Sequence, residues 1–140
     1  MSVYSFSDTA VTVQHPAVGQ KVISGMGVGD IITAFANDSS AHTLSNDGRV
    51  ITSKIKAPNG TLTINVLQNS DAFAWMKNLY NRLQTAGSEE WNGITVTIKS
   101  PSEFTICKAC SFQKFPDVTR GQQAQMVSIV LLAEEISMEE

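Results

Sequence analysis

The sequence predicts a mainly β fold, a β-sandwich or partly open β-barrel with one flanking helix, and three observations predict it. Within Gly60 to Gln68 (GTLTINVLQ), Thr61 to Val66 alternates polar and apolar residues, as a strand does when one face is buried and the other wet. Ile94-Thr95-Val96-Thr97-Ile98 repeats that alternation, and Met126 to Ala133 is apolar on both faces. Only one segment, about Asp71 to Thr85, has apolar residues at three- and four-residue spacing.

Taken in order, Val11 to Val13 alternates like a strand, and Pro16 ends it or marks an edge. Gly25, Gly27 and Gly29 form a flexible GMGVG segment leading into a strand at Asp30 to Phe35. Asn37 to Gly48 (NDSSAHTLSNDG) is polar and lacks a sustained apolar period, which reads as an extended loop or loosely paired hairpin tip. Val50 to Lys56 resumes as a strand. Pro58-Asn59-Gly60 then reads as a hairpin turn into the Gly60–Gln68 strand, because Asn-Gly supplies the positive φ values a tight turn needs.

In the strand after that turn, Leu62, Ile64 and Val66 face one way and Thr61, Thr63 and Asn65 the other. The helix follows, capped by Asn69 or Ser70, with Asp71 in its first turn and Gly87 at its stop. Its buried stripe is Ala72, Trp75, Met76, Leu79 and Leu83. Asn92-Gly93 is a second turn, and Phe104 to Phe112 is another strand. Val127, Ile129 and Leu131 form one face of the last strand and Met126, Val130 and Leu132 the other, so both faces are expected to be covered. No composition break or repeat divides residues 1–140, which read as one domain.

The composition narrows the function. Charged residues make up 16% of the 140, against roughly 25% in an ordinary soluble domain, a pattern that suits a surface covered by partners. A formal charge of -3 and a pI near 5.3 exclude the electrostatic footprint of a tight nucleic-acid binder. Asp8 and His15 interrupt the apolar run that a signal peptide needs, and no stretch approaches the ~20 apolar residues of a membrane span. Synthesis in the cytoplasm is the expectation.

No motif supplies chemistry. Cys107-Lys108-Ala109-Cys110 matches CxxC, but it lies in a strand, where residues three apart point to opposite faces, so ordinary packed or semi-exposed thiols are expected. His15 and His42 are too few for a zinc site, no serine stands in a nucleophile elbow, and the Glu89-Glu90 and Glu134-Glu135 pairs are adjacent, not facing. Gly25, Gly27 and Gly29 match neither dinucleotide nor P-loop spacing. The expectation is no enzyme, no cofactor and no metal.

Several segments recur together, in order: YSFSDTAVTVQHPAVG, then Asp47-Gly48-Arg49-Val50-Ile51-Thr52-Ser53-Lys54, Gly60 to Gln68, the helix after Asn69-Ser70-Asp71, and Pro116-Asp117-Val118-Thr119-Arg120-Gly121. In this the chain resembles the tail tube proteins of contractile-tailed phages, and it is similar to type VI secretion and bacteriocin tube proteins. The Ala109-Cys110 region and the acidic end, Glu134 to Glu140, depart from the pattern. The resemblance implies six copies in a ring and rings stacked into a hollow tube inside a contractile sheath. Its implied partners are copies of itself, the sheath, baseplate and tape-measure proteins, and DNA passing through the lumen; its place is the virion. Thr61, Thr63 and Asn65, with Thr95 and Thr97, are then expected to face the lumen, and Asp38, His42, Asp47 and Arg49 to contact the next ring. The alternatives are the tube of a bacteriocin-like or secretion particle, or a non-tubular virion binding module.

Overall fold

In a computed structural model, residues 9–23, 28–101 and 103–139 are described. The chain runs β1 (Ala10–His15), β2 (Gly19–Ile23), β3 (Val28–Phe35), β4 (Ser40–Leu44), β5 (Val50–Lys54), β6 (Gly60–Leu67) and α1 (Asp71–Thr85). A single 3-10 turn at Ser88–Glu90 precedes β7 (Ile94–Lys99), β8 (Phe104–Lys114) and β9 (Met126–Glu139). Seven strands make one antiparallel sheet in the order β2-β1-β7-β8-β9-β6-β3, which curls into a half-barrel. The partly open barrel is therefore the form realised. Gly25 and Gly27 of the glycine segment lie outside the described residues.

The alternation in the sequence sets which side is core. Val11 and Val13 of β1, Leu62, Ile64 and Val66 of β6, Ile94, Val96 and Ile98 of β7, and Val127, Ile129 and Leu131 of β9 are all buried on one face. Helix α1 covers that face with Ala72, Phe73, Met76, Leu79 and Leu83, while Trp75 is half-buried at the margin. Ser70 is the N-cap, its hydroxyl accepting from the Phe73 N–H at 3.2 Å. The C-cap is Ala86 in extended backbone, so Gly87 stops nothing with a left-handed turn; it leads into the 3-10 turn instead. Tyr80 knits helix to sheet, its ring 5.2 Å from Phe112, 4.8 Å from Phe115 and 6.3 Å from Trp91.

His15 closes the other end of the core. It is buried, its Nε2–H donates to the Glu90 carbonyl at 2.9 Å, and its Nδ1 accepts from the Ala17 N–H at 3.0 Å. One imidazole thus pins the β1–β2 turn to the segment before β7. Gly93 lies against that ring, where a Cβ would stand 3.0 Å from Nε2.

Two expectations are corrected here. Pro58-Asn59-Gly60 is not a hairpin turn: β5 pairs with β4, forming a separate two-stranded sheet, and β6 pairs with β3 and β9. Gly60 is needed for close packing, since a Cβ there would overlap the Ala34 carbonyl oxygen and stand 2.6 Å from Ile136 Cδ1. By the same pairing, the hairpin of the two readings of Asn37 to Gly48 is the one realised, with Ser40 to Leu44 as its first strand, regularly paired with β5.

The second correction concerns the cysteines. Ala109 has φ +52°, and the β7–β8 register slips between Ile94 and Val96. Lys108 and Ala109 both turn away from the core, so Cys107 and Cys110 both turn into it. β9 answers with its own pair of outward residues, Glu134 and Glu135, between buried Ala133 and Ile136. The two strands bend together, and their mutual register (Cys107↔Ile136, Lys108↔Glu135, Cys110↔Ala133) holds straight through the bend.

Candidate assembly surface

Two surfaces have no covering among the described residues: the face of the sheet opposite α1, and the β4–β5 hairpin. On the first, the register decides what lies beside what. Thr61 has Ala34 on one side and Leu132, then Ser111, on the other; Thr63 has Ile32, Val130 and Lys114. Asn65 stands opposite Ser128, whose hydroxyl it accepts, and its amide donates to the Asp30 carbonyl at 3.0 Å. Asn65 is therefore held in a local network.

Thr95 and Thr97 occupy the same face on β7. Thr97 aligns with Thr12 of β1 and Ile106 of β8, and Ile106 with Ser137 of β9. That row meets β9 four residues beyond Ala133, the partner of the first residue of β6. So the structure puts all five residues on one face, but the β7 pair is staggered along the strands from the β6 trio.

Among the described residues the sheet ends at two open edges, β2 and β3. Each carries exposed apolar residues, Val22 on β2 and Ile32 and Phe35 on β3. An open edge bearing such residues is a template for pairing, and soluble proteins ordinarily cover or charge it.

The hairpin is built by direct pairing, Ser40↔Lys54 to Leu44↔Val50, closed by Ser45 to Arg49 with Gly48 at φ +86°. Asp47 organises the tip. Its carboxylate accepts from the Ser45 hydroxyl and from the Arg49 N–H at 3.2 Å, and Arg49 Nε lies 3.6 Å away. The Ser45 hydroxyl first, and then the Arg49 backbone N–H, hold the Asp47 carboxyl below its ordinary value. His42 sits mid-strand opposite Thr52. Asp38 precedes β4 at the root, roughly 17 Å from the tip by the rise of five strand residues. The structure thus joins Asp47 to Arg49, leaves His42 between, and puts Asp38 at the far end.

Sequence reading passed over the hairpin's apolar residues, Leu44, Val50, Ile51 and Ile55, all of them exposed. The signal was present in the adjacent Val50-Ile51, which gives a strand no purely polar face. Cys107 and Cys110 are free thiols buried in the core; burial pushes the first up to about 11 and, with the neighbouring thiol adding to it, the second up to about 12. Their environment is the opposite of the one that activates a thiol.

The chain matches the family model described as Bacteriophage PhiTE tail tube protein over residues 1–139. The protein belongs to the phage tail tube family. No curated protein sequence matches it. Among solved structures, the tail tube protein is similar to a chain of the anti-feeding prophage baseplate, 6-fold symmetrised, with a TM-score of 0.69 and 12% identity over 99% of this chain and 97% of that one. It is also similar to a chain of the sheath/tube terminator of PVC, an extracellular contractile injection system, in the extended state (TM-score 0.61, 9% identity, 100% and 99% covered). A chain of the PVC sheath-tube complex gives a TM-score of 0.59 at 9% identity, with 96% and 90% covered. At such identities the likeness is one of fold. The tail tube protein is a structural subunit, and the half-barrel with one helix is the shape it shares with these chains.

Proposed function

We propose that six copies close into a ring and that rings stack into a hollow tube, inside a contractile sheath, through which DNA passes. The observation that carries this is the open sheet: its core is on one face only, and among the described residues two apolar edges stand without partners. Closing a ring removes both edges. The 6-fold symmetry of the anti-feeding prophage assembly supports six as the number.

The face opposite α1 would line the lumen, with Thr61, Thr63 and Asn65, and with Thr95 and Thr97. Their neutral side chains would let a polyanion slide, and the lysines on that face stand beside carboxylates, Lys108 opposite Glu135 and Lys114 3.4 Å from Asp117. The β4–β5 hairpin, with His42, Asp47 and Arg49 along it and Asp38 at its root, would reach the next ring. In this reading the chain acts as one domain without catalysis. It is assembled in the host cytoplasm into the virion, against sheath, baseplate and tape-measure proteins.

Electron microscopy and light scattering of the purified chain test the assembly: hexamers or tubes are expected, and a stable monomer at high concentration overturns it. The lumen is tested on tubes of Thr63→Cys and Thr97→Cys, since the native thiols are buried. A bulky polymer-linked maleimide should label both positions in free subunits and neither in tubes, while Lys77→Cys on the helix stays reactive. Labelling of Thr63→Cys in intact tubes would turn the proposed orientation around.

A further inference from the structure

The hairpin has apolar residues on both of its faces. Cross-strand partners share a face, so Leu44 and Val50 lie on one with His42 and Thr52, while Ile51 lies on the other with Thr43, followed by Ile55. Leu44 is 71% exposed and Val50 58%; on the opposite face Ile51 is 54% exposed and Ile55 38%. Among the described residues β4 and β5 pair only with each other, and a lone two-stranded ribbon is marginal in water. The paired residues Ala41 to Leu44 and Val50 to Ser53 include no Asp, Glu, Lys or Arg. Charge is confined to the tip (Asp47, Arg49) and the root (Asp38, Lys54, Lys56). That is the composition of an interface core with a charged rim, present on two sides of one ribbon.

We infer that the hairpin inserts as a wedge between two other copies of this chain, one against each face, and does not lie flat on a single neighbour. A ribbon laid on one surface would hide either Leu44 and Val50 or Ile51 and Ile55 and leave the other pair in water. Copies of the chain fit as both occupants because its body exposes matching apolar residues that likewise need cover: Val22, Ile32, Phe35 and Leu132. This rests on the tube reading and adds that every hairpin ties together three subunits.

The test uses the full chain alone, with no sheath present, and two paired variants: Leu44→Thr with Val50→Thr, and Ile51→Thr with Ile55→Thr. Threonine keeps strand propensity while removing the apolar contact. Both variants are expected to lose tubes in pelleting and microscopy while their free subunits keep the wild-type melting temperature, which the core sets. Tubes at wild-type yield from either variant would overturn the wedge, since that face would then be free or left to another protein. Photo-crosslinkers in place of Val50 and of Ile51 give a second readout: their adducts should map to different surfaces, and adducts on one common surface would also overturn it. Wild-type chain that never assembles sinks the tube reading itself and the wedge with it, whereas tubes with one tolerant face sink the wedge alone.

Discussion

Gly60→Ala separates two reasons a chain keeps a glycine. At this position φ is not positive, so backbone freedom is not what the residue supplies. A methyl group would instead overlap the Ala34 carbonyl oxygen, stand 2.6 Å from Ile136 Cδ1 and 3.0 Å from the Ala34 carbonyl carbon. Relief requires the β3 backbone and the Ile136 side chain each to withdraw by roughly 1 Å to reach ordinary contact. Overpacking of this kind costs about 1–3 kcal/mol, and displacing the Ala34–Phe35 backbone weakens a ladder bond worth about 1 kcal/mol. The sum, about 2–4 kcal/mol, lowers the melting temperature of a chain this size by roughly 6–15 °C. Thermal unfolding of the subunit by circular dichroism reads it. Gly121→Ala is the control, its nearest neighbour being Gln125 Nε2 at 4.0 Å, and should stay within about 0.5 kcal/mol of wild type. Gly60→Asn decides the cause: asparagine accepts a left-handed turn better than alanine does, so a turn glycine would tolerate it better. If Gly60→Asn melts above Gly60→Ala, or Gly60→Ala melts with wild type, the packing argument is wrong.

Two further substitutions test the bend in β8. Ala109→Gly should raise the urea midpoint by the equivalent of about 0.5–1 kcal/mol, because relief of a left-handed alanine exceeds the entropy cost of glycine; a lower midpoint would count against the bend being strained. The thiols predict a pH dependence. Buried Cys107 and Cys110 stay protonated up to about 11 and about 12, whereas in the unfolded chain they ionise near 9.0, so the folded state binds more protons above that pH. Stability should therefore fall as pH rises from about 9 towards 11, and Cys107→Ala with Cys110→Ala should flatten that part of the slope. An unchanged slope in the double variant would mean that the thiols are not buried.

How much of this was legible in the sequence depended on whether the signal was local. The helix came through to its ends because Ser70 and Asp71 mark its start and the stripe from Ala72 to Leu83 its length. The buried faces of β6 and β7 came through because alternation is itself the burial pattern. Pairing did not, since a turn dipeptide says that the chain can reverse and not which strand it will meet; Asn59-Gly60 therefore pointed to a hairpin between β5 and β6 that does not exist. The cysteines misled for a related reason. Nothing in Lys108-Ala109 announces a bulge, which glycine or asparagine would have done, so strict alternation put one thiol outside. On the candidate surface, the threonine faces could be read from β6 and β7 alone. Their stagger, and the bareness of Leu44, Val50, Ile51 and Ile55, exist only once the sheet is assembled.

The bend shared by β8 and β9 has one more consequence. Each strand carries one surplus residue there, Ala109 in one and Glu134 in the other, and the slip between β7 and β8 is a single position. Deleting both would leave every other side chain on its present face and restore an unbroken register between β7 and β8. Deleting either alone would reverse inside and outside along the rest of that strand. The local bend of the sheet is thus set by a matched pair of insertions, and a chain lacking both should still fold but present its two edges, β2 and β3, at a different angle to one another.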